Sequence, residues 1–128
     1  MLWQEGGAEL SVFKGRDAKL NRAVFQALTL KGPQTIYDNH RQVRPQRGLK
    51  YTKYASVNKR VRSLEESGYI RKIGVRKIKA GFQASVYELT ARAYLAMLLN
   101  LINLDDLLMK VDEATASEIL AAIMSSMH

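Results

Sequence analysis

Val61-Arg62-Ser63-Leu64-Glu65-Glu66-Ser67-Gly68-Tyr69-Ile70-Arg71-Lys72 changes its period halfway along. Up to Ser67 the apolar residues keep helical spacing: Val57, Val61 and Leu64 fall at i, i+4 and i+7, with Tyr54 on the same inward stripe. Gly68 then supplies the one residue type that takes a left-handed backbone freely, as a helix C-terminus requires. Beyond it the chain is β-rich, with Ile70, Ile73, Val75 and Ile78. The spacing predicts a helix from a Thr52 cap to about Ser67. At 100° per residue its opposite face carries Thr52, Ala55, Ser56, Lys59, Arg62 and Ser63, which is small, polar and basic.

Downstream, Tyr69 to Lys79 and Gln83 to Leu89 read as two strands of a hairpin turning at Ala80-Gly81-Phe82. Gly74 marks a bulge, because the apolar parity slips between Val75 and Ile78. Ser85, Tyr87 and Leu89 share one side. Upstream, Arg44-Pro45-Gln46-Arg47-Gly48 is a loop. Before it lies a short helix, about Gln34 to Val43, with Ile36, Tyr37, His40 and Val43 on one face. Gly32-Pro33 ends the first helix, which runs from an Asp17 cap to Lys31 with Leu20, Val24, Ala27 and Leu28 inward. Residues 1–16 carry few signals and read as a loose arm. After the hairpin, Thr90 caps a helix to about Asn100, and Asn103 or Asp105 starts a short one through Val111. Thr115-Ala116-Ser117-Glu118 has the capping-box pattern and opens a last helix to Met127. The expected division is 1–16 arm, 17–90 core domain and 91–128 C-terminal helices.

Helix, helix, turn, helix and basic hairpin form an α+β arrangement, mainly helical with one small β-hairpin: the winged helix-turn-helix. The quoted run, followed by Val86-Tyr87-Glu88-Leu89-Thr90, resembles winged-helix transcription regulators of the MarR and PadR type over roughly residues 18–92. Gly32-Pro33-Gln34-Thr35-Ile36-Tyr37-Asp38 also fits the start of their second helix. The resemblance implies that Leu64 anchors the recognition helix in the core. It makes Gly68-Tyr69-Ile70 the turn into the wing and Tyr87-Glu88-Leu89-Thr90 the return strand. It also implies DNA as the partner.

Charge leads to the same partner independently. The net charge of +8 is unevenly spread. Residues 41–79 hold thirteen basic side chains against Glu65 and Glu66, a balance of +11, whereas residues 1–40 balance at +1 and residues 80–128 at −4. Such clustering is the electrostatic footprint of a polyanion-binding surface. A reading helix needs short polar groups near its start and cations further on. Thr52, Ser56 and Lys59 are expected at base edges with Asn58 beside them, and Lys53, Arg60 and Arg62 at phosphates. Arg71, Arg76, Lys77 and Lys79 on the wing, and Arg44, Arg47 and Lys50 on the loop, complete the expected double-stranded DNA contacts.

The run 94–111 holds more apolar surface than one helix can bury against a small domain. Asn100, Asn103, Asp105 and Asp106 interrupt it before it could span a membrane. A homodimer through residues 91–128 is therefore expected, with two recognition helices ~34 Å apart on a pseudo-palindromic site. The chain has no cysteine, and its first residues show no basic region leading into an apolar run. A cytoplasmic, nucleoid-associated protein is expected, without metal or cofactor. His40 and His128 are the only histidines; His40 is expected beneath the domain and His128 is the terminus. No nucleophile–base pair and no phosphate-cradling glycine loop is present, so no enzyme is expected. The leading reading is a sequence-specific transcriptional regulator, a dimeric repressor. An architectural or replication-associated DNA binder on the same fold is not separated from it by these residues. A winged-helix protein-interaction module has no reason to gather +11 on one segment. RNA modules usually display aromatic platforms.

Overall fold

The computed structural model describes residues 10–127; the N-terminal nine residues and His128 lie outside them. The described residues fall into two compact units, 10–97 and 98–127.

The first unit is built on three helices and a three-stranded antiparallel sheet. Helix α1 (Ala18–Lys31) buries Ala23, Val24, Phe25, Ala27 and Leu28. Leu20, expected among them, is only half-buried. Asp17 stands at the N-cap position without a side-chain capping bond. Its carboxylate instead pairs with Arg60 at 3.2 Å. Of the arm expected over residues 1–16, residues 1–9 lie outside the described residues, and the rest is not loose. Ser11–Phe13 is a 3-10 turn, with Val12 and Phe13 buried and Phe13 edge-on to Phe25 at 5.4 Å. Two apolar side chains so close to the core hold the segment down.

Gln34–Thr35 forms a two-residue strand, β1, rather than the first turn of the second helix. Helix α2 (Ile36–Val43) therefore starts two residues later than predicted, capped by the Thr35 hydroxyl, which accepts the Asp38 N–H at 3.1 Å. Its inward residues are Ile36, Asn39 and Val43. Tyr37, expected inward, is 60% exposed. Asn39 takes the interior instead because its amide donates to Gln34 Oε1 at 3.1 Å and satisfies a buried polar group.

Helix α3 (Tyr54–Glu66) buries Val57, Val61 and Leu64 as predicted. It begins after Lys53, so Thr52 is not its cap. Tyr54 is half out of the core and meets the His40 ring edge-on at 6.0 Å. The C-terminus closes with paired reverse bonds. Gly68 N–H donates to Glu65 O at 3.0 Å and Tyr69 N–H to Leu64 O at 2.9 Å, with Gly68 at φ +83°.

Strands β2 (Ile70–Lys77) and β3 (Gln83–Leu89) form the ribbon, with β3 between β1 and β2. Lys72 faces Tyr87 and Gly74 faces Val86, so Ile73 is the extra residue. The predicted bulge thus lies one residue before Gly74. A 3-10 turn at Lys79–Gly81 links the strands, and β2 ends at Lys77 rather than Lys79. Ile70, Tyr87 and Leu89 anchor the base of the ribbon in the core.

Helix α4 (Ala91–Leu101) follows Thr90, whose hydroxyl accepts the Ala93 N–H at 3.4 Å. Helix α5 (Leu104–Lys110) is capped by Asn103, whose side-chain oxygen accepts two backbone N–H groups. Helix α6 (Glu113–Ser126) starts earlier than predicted. Asp112 caps it by accepting the Thr115 N–H at 2.7 Å, which places the expected capping-box threonine inside the helix. Neither α5 nor α6 buries a residue. Among the described residues, no helix is long and apolar enough to cross a membrane.

Candidate nucleic-acid interface

Three apolar residues fix which side of α3 faces out. With Val57, Val61 and Leu64 in the core, helical geometry turns Ala55, Ser56, Lys59 and Arg62 outward, and all four are exposed. Nothing bulky and apolar stands on that face. Lys53 is exposed just ahead of the first turn, while Thr52 and Asn58 are half-buried. The Thr52 carbonyl accepts a hydrogen bond from His40 Nε2 at 2.7 Å, so that ring nitrogen carries the proton. His40 is thus a half-buried strut between α2 and the start of α3.

Arg60 departs from expectation. Its side chain is only 15% exposed and its guanidinium pairs with Asp17. It lies on the flank of α3 that turns toward α1, so its charge already has a partner within the domain.

The orientation of α3 is fixed at its far end. Arg92 donates to the Ser67 carbonyl at 2.7 Å, and the Thr90 hydroxyl donates to Gly68 O at 2.6 Å. A cation and a hydroxyl from the start of α4 thereby satisfy carbonyls that the helix leaves open. Thr90 N–H donates to Tyr69 O at 3.0 Å, stitching the same junction to the ribbon.

On the ribbon, Arg71, Lys72, Arg76, Lys77 and Lys79 are all exposed. Two of them face carboxylates. Arg71 Nε lies 2.7 Å from Glu88 across the strands, and Arg76 reaches Asp38 on α2 at 2.6 Å. Lys72, Lys77 and Lys79 have no ion pair among the described residues. Ile73, Val75, Ile78 and Phe82 interleave exposed apolar surface among these cations.

The loop 44–53 brings Arg44, Arg47 and Lys50 to the surface. Arg44, Pro45 and Lys50, with Arg41, line a cleft of about 340 Å³. Arg41 was not among the predicted contacts. The signal for it was available: Tyr37, Arg41 and Arg44 fall at i, i+4 and i+7, one outward stripe of α2. Tyr37 and Tyr51 flank it, 60% and 86% exposed. Among the described residues, no group of three or more His, Asp or Glu side chains could hold a metal ion.

No family model matches the chain, and no curated protein matches it. Among solved structures, that of diamide-treated YodB from B. subtilis is similar, with a TM-score of 0.51 and 15% identity over 69% of this chain and 74% of that one. The likeness is one of fold. Three helices and an antiparallel ribbon, with the third helix presenting its polar side, make this unit a winged helix.

Proposed function

We propose that this protein is a sequence-specific double-stranded DNA-binding transcriptional regulator. In this reading α3 enters the major groove and the basic ribbon lies on the adjacent minor groove or backbone. The observation that carries it is the outward face of α3, where Ser56, Lys59 and Arg62 are exposed and free of bulky apolar neighbours while Val57, Val61 and Leu64 hold the other side. A major groove admits a helix with such a face. Ser56 and Lys59 approach base edges, with Thr52 at the entry. Lys53, Arg62, Lys77 and Lys79 hold phosphates. Arg71 and Arg76 join them where a phosphate displaces Glu88 or Asp38.

The protein works as a homodimer through its C-terminal helices. Leu98, Leu104, Leu108, Met109, Leu120, Ile123 and Met124 are each more than half exposed, an apolar surface that a second copy would cover. Repression is its simplest output, since a bound dimer excludes other proteins from the same duplex and needs no further surface. The reading assigns the chain no catalytic step and places its work in the cytoplasm, on the nucleoid.

The test is a gel shift with the duplex upstream of its own gene against a scrambled duplex, at several salt concentrations. A preference for the first, with log K falling against log salt at a slope near −5 for about six phosphate contacts, is the expected result. A slope shallower than about −2 would remove the footprint. Equal affinity for both duplexes would favour an architectural binder. Sedimentation equilibrium at micromolar concentration should give a dimer; a monomer would remove the paired-helix geometry.

A further inference from the structure

We propose that the cleft between the end of α2 and the loop that follows it binds a phosphate group, clasped by Arg41, Arg44 and Lys50. For a phosphate of the DNA backbone, the inference rests on the DNA-binding reading above. For a phosphate carried by a small molecule, it stands without that reading.

The lining of the cleft is three cations and Pro45. No carboxylate lines it. Each ion pair among the described residues joins other arginines, namely Arg60, Arg71 and Arg76, to their acids. Arg41, Arg44 and Lys50 therefore share one cleft with no ion-paired carboxylate, an arrangement that an anion relieves. The other contacts of two of these cations are weak: Arg41 stands 5.9 Å from the Tyr37 ring centre and Lys50 stands 5.6 Å from that of Tyr51. Both rings are exposed, and exposed cation–ring contacts give way to a charge-assisted hydrogen bond.

The loop that carries the cleft is tied down by hydrogen bonds. Arg44 Nε donates to the Lys50 carbonyl at 3.2 Å, which fixes one edge of the guanidinium and leaves its terminal nitrogens for a ligand. The loop folds as successive turns, Gln46 N–H to Val43 O, Leu49 N–H to Gln46 O and Thr52 N–H to Leu49 O, each at 3.0–3.1 Å. The Gln46 amide donates to Ala23 O at 3.0 Å and so pins the loop to α1. Gly48, at φ +80°, allows the reversal. A loop held in place before binding loses little backbone freedom on binding.

Size and chemistry select the ligand class. About 340 Å³ is at the small end of ligand clefts. Two guanidinium forks and one ammonium suit a phosphate, whose several oxygens accept from planar donors and a point charge together. Arg47, equally basic and exposed, lies outside the lining and serves as an internal reference.

The experiment uses the full chain and two probes. One is the salt dependence of duplex binding for the wild type, for Arg41→Ala/Arg44→Ala/Lys50→Ala, and for Lys14→Ala as a control, with single Arg41→Ala as a milder variant. The other is titration with pyrophosphate, read at the arginine Nε–H resonances against sodium chloride of equal ionic strength. A backbone phosphate predicts a slope shallower by about 0.9 for each cleft cation that no longer neutralises a phosphate, with Lys14→Ala unchanged. A free phosphate ligand predicts saturable shifts of Arg41 and Arg44 beyond any at Arg47, abolished in the variants, with no change of slope. If the wild type ignores duplex DNA but pyrophosphate saturates the cleft, the DNA-binding reading fails and the cleft stands. If duplex binds with an unaltered slope in the variants and pyrophosphate moves Arg41 and Arg44 no more than Arg47, the cleft is overturned and the DNA reading stands.

Discussion

Arg76, near the outer end of the ribbon, holds the Asp38 carboxylate of α2 at 2.6 Å. The pair braces the wing against the body and also occupies a cation that the proposed interface would use. Both partners are part-exposed, 52% and 37%, so the bond contributes at most about 1 kcal/mol to stability. Asp38→Asn should therefore leave thermal stability nearly unchanged. It should tighten duplex binding by up to about five-fold, because a phosphate no longer has to displace the carboxylate from Arg76. Anisotropy titrations at fixed salt measure this; an unaltered affinity would place Arg76 away from DNA.

The two sides of α3 should respond to substitution in opposite ways. Lys59→Ala and Arg62→Ala should each weaken duplex binding roughly ten-fold, as expected for removing ~1.5 kcal/mol of a charged hydrogen bond. Neither should shift stability by more than about 0.5 kcal/mol. Leu64→Ala, at a 3% exposed site, should cost about 2–5 kcal/mol of folding stability. Urea denaturation beside gel shifts separates the two. Strong binding by the Lys59→Ala/Arg62→Ala double variant would reject the groove-facing assignment.

Gly68 and Gly81 share a left-handed backbone but not a neighbourhood. A Cβ on Gly68 would run into the Arg92 guanidinium, which is bonded to Ser67 O; a Cβ on Gly81 meets open space. Gly81→Ala should cost about 1–2 kcal/mol from backbone strain alone. Gly68→Ala should cost more, since it also displaces Arg92 from the end of α3. Thermal melts of the two variants should rank in that order, and a milder effect at Gly68 would contradict the described junction.

Asp112 carries a pH prediction for the last helix. The Thr115 backbone N–H, and then the Thr115 side chain, hold its carboxyl below the ordinary carboxylate value. A group with a depressed folded-state pKa stabilises above its unfolded value, near 4, and loses that effect as pH falls through the lower folded value. Acidification from about pH 5 to pH 2 should therefore release the α6 cap and shift the Thr115 amide resonance. Asp112→Asn still accepts that hydrogen bond but does not titrate, so the acid shift should vanish. A Thr115 amide indifferent to pH in the wild type would argue against the cap.

The parts of this molecule legible in its sequence are those written in local period and punctuation. Val57, Val61 and Leu64 announce α3 through their spacing, and Gly68 announces its end, because both depend on neighbours within a few residues. Gln34–Thr35 cannot be read as a strand: two residues carry no alternation, and they pair only because β3 lies beside them. Helical phase alone puts Tyr37 and Tyr54 inward, yet an amphipathic ring at the margin of a stripe is stable half out of the core. The ion pairs are hidden for a further reason. Asp17 with Arg60 and Asp38 with Arg76 are joined only by the fold, so charge counts along the chain overstate how many cations stand unopposed.

The unpaired Ile73 makes the ribbon adjustable. Lys72 and Gly74 already oppose adjacent partners, Tyr87 and Val86, so removing the residue between them would leave every other cross-strand pairing in place. What would change is the bend and the extra coiling that a surplus residue imposes. A single-codon deletion could thus swing Lys77 and Lys79 to a new heading relative to the three helices without altering any other side chain. Evolution or an engineer could retarget the outer ribbon by that route while the three helices keep their packing.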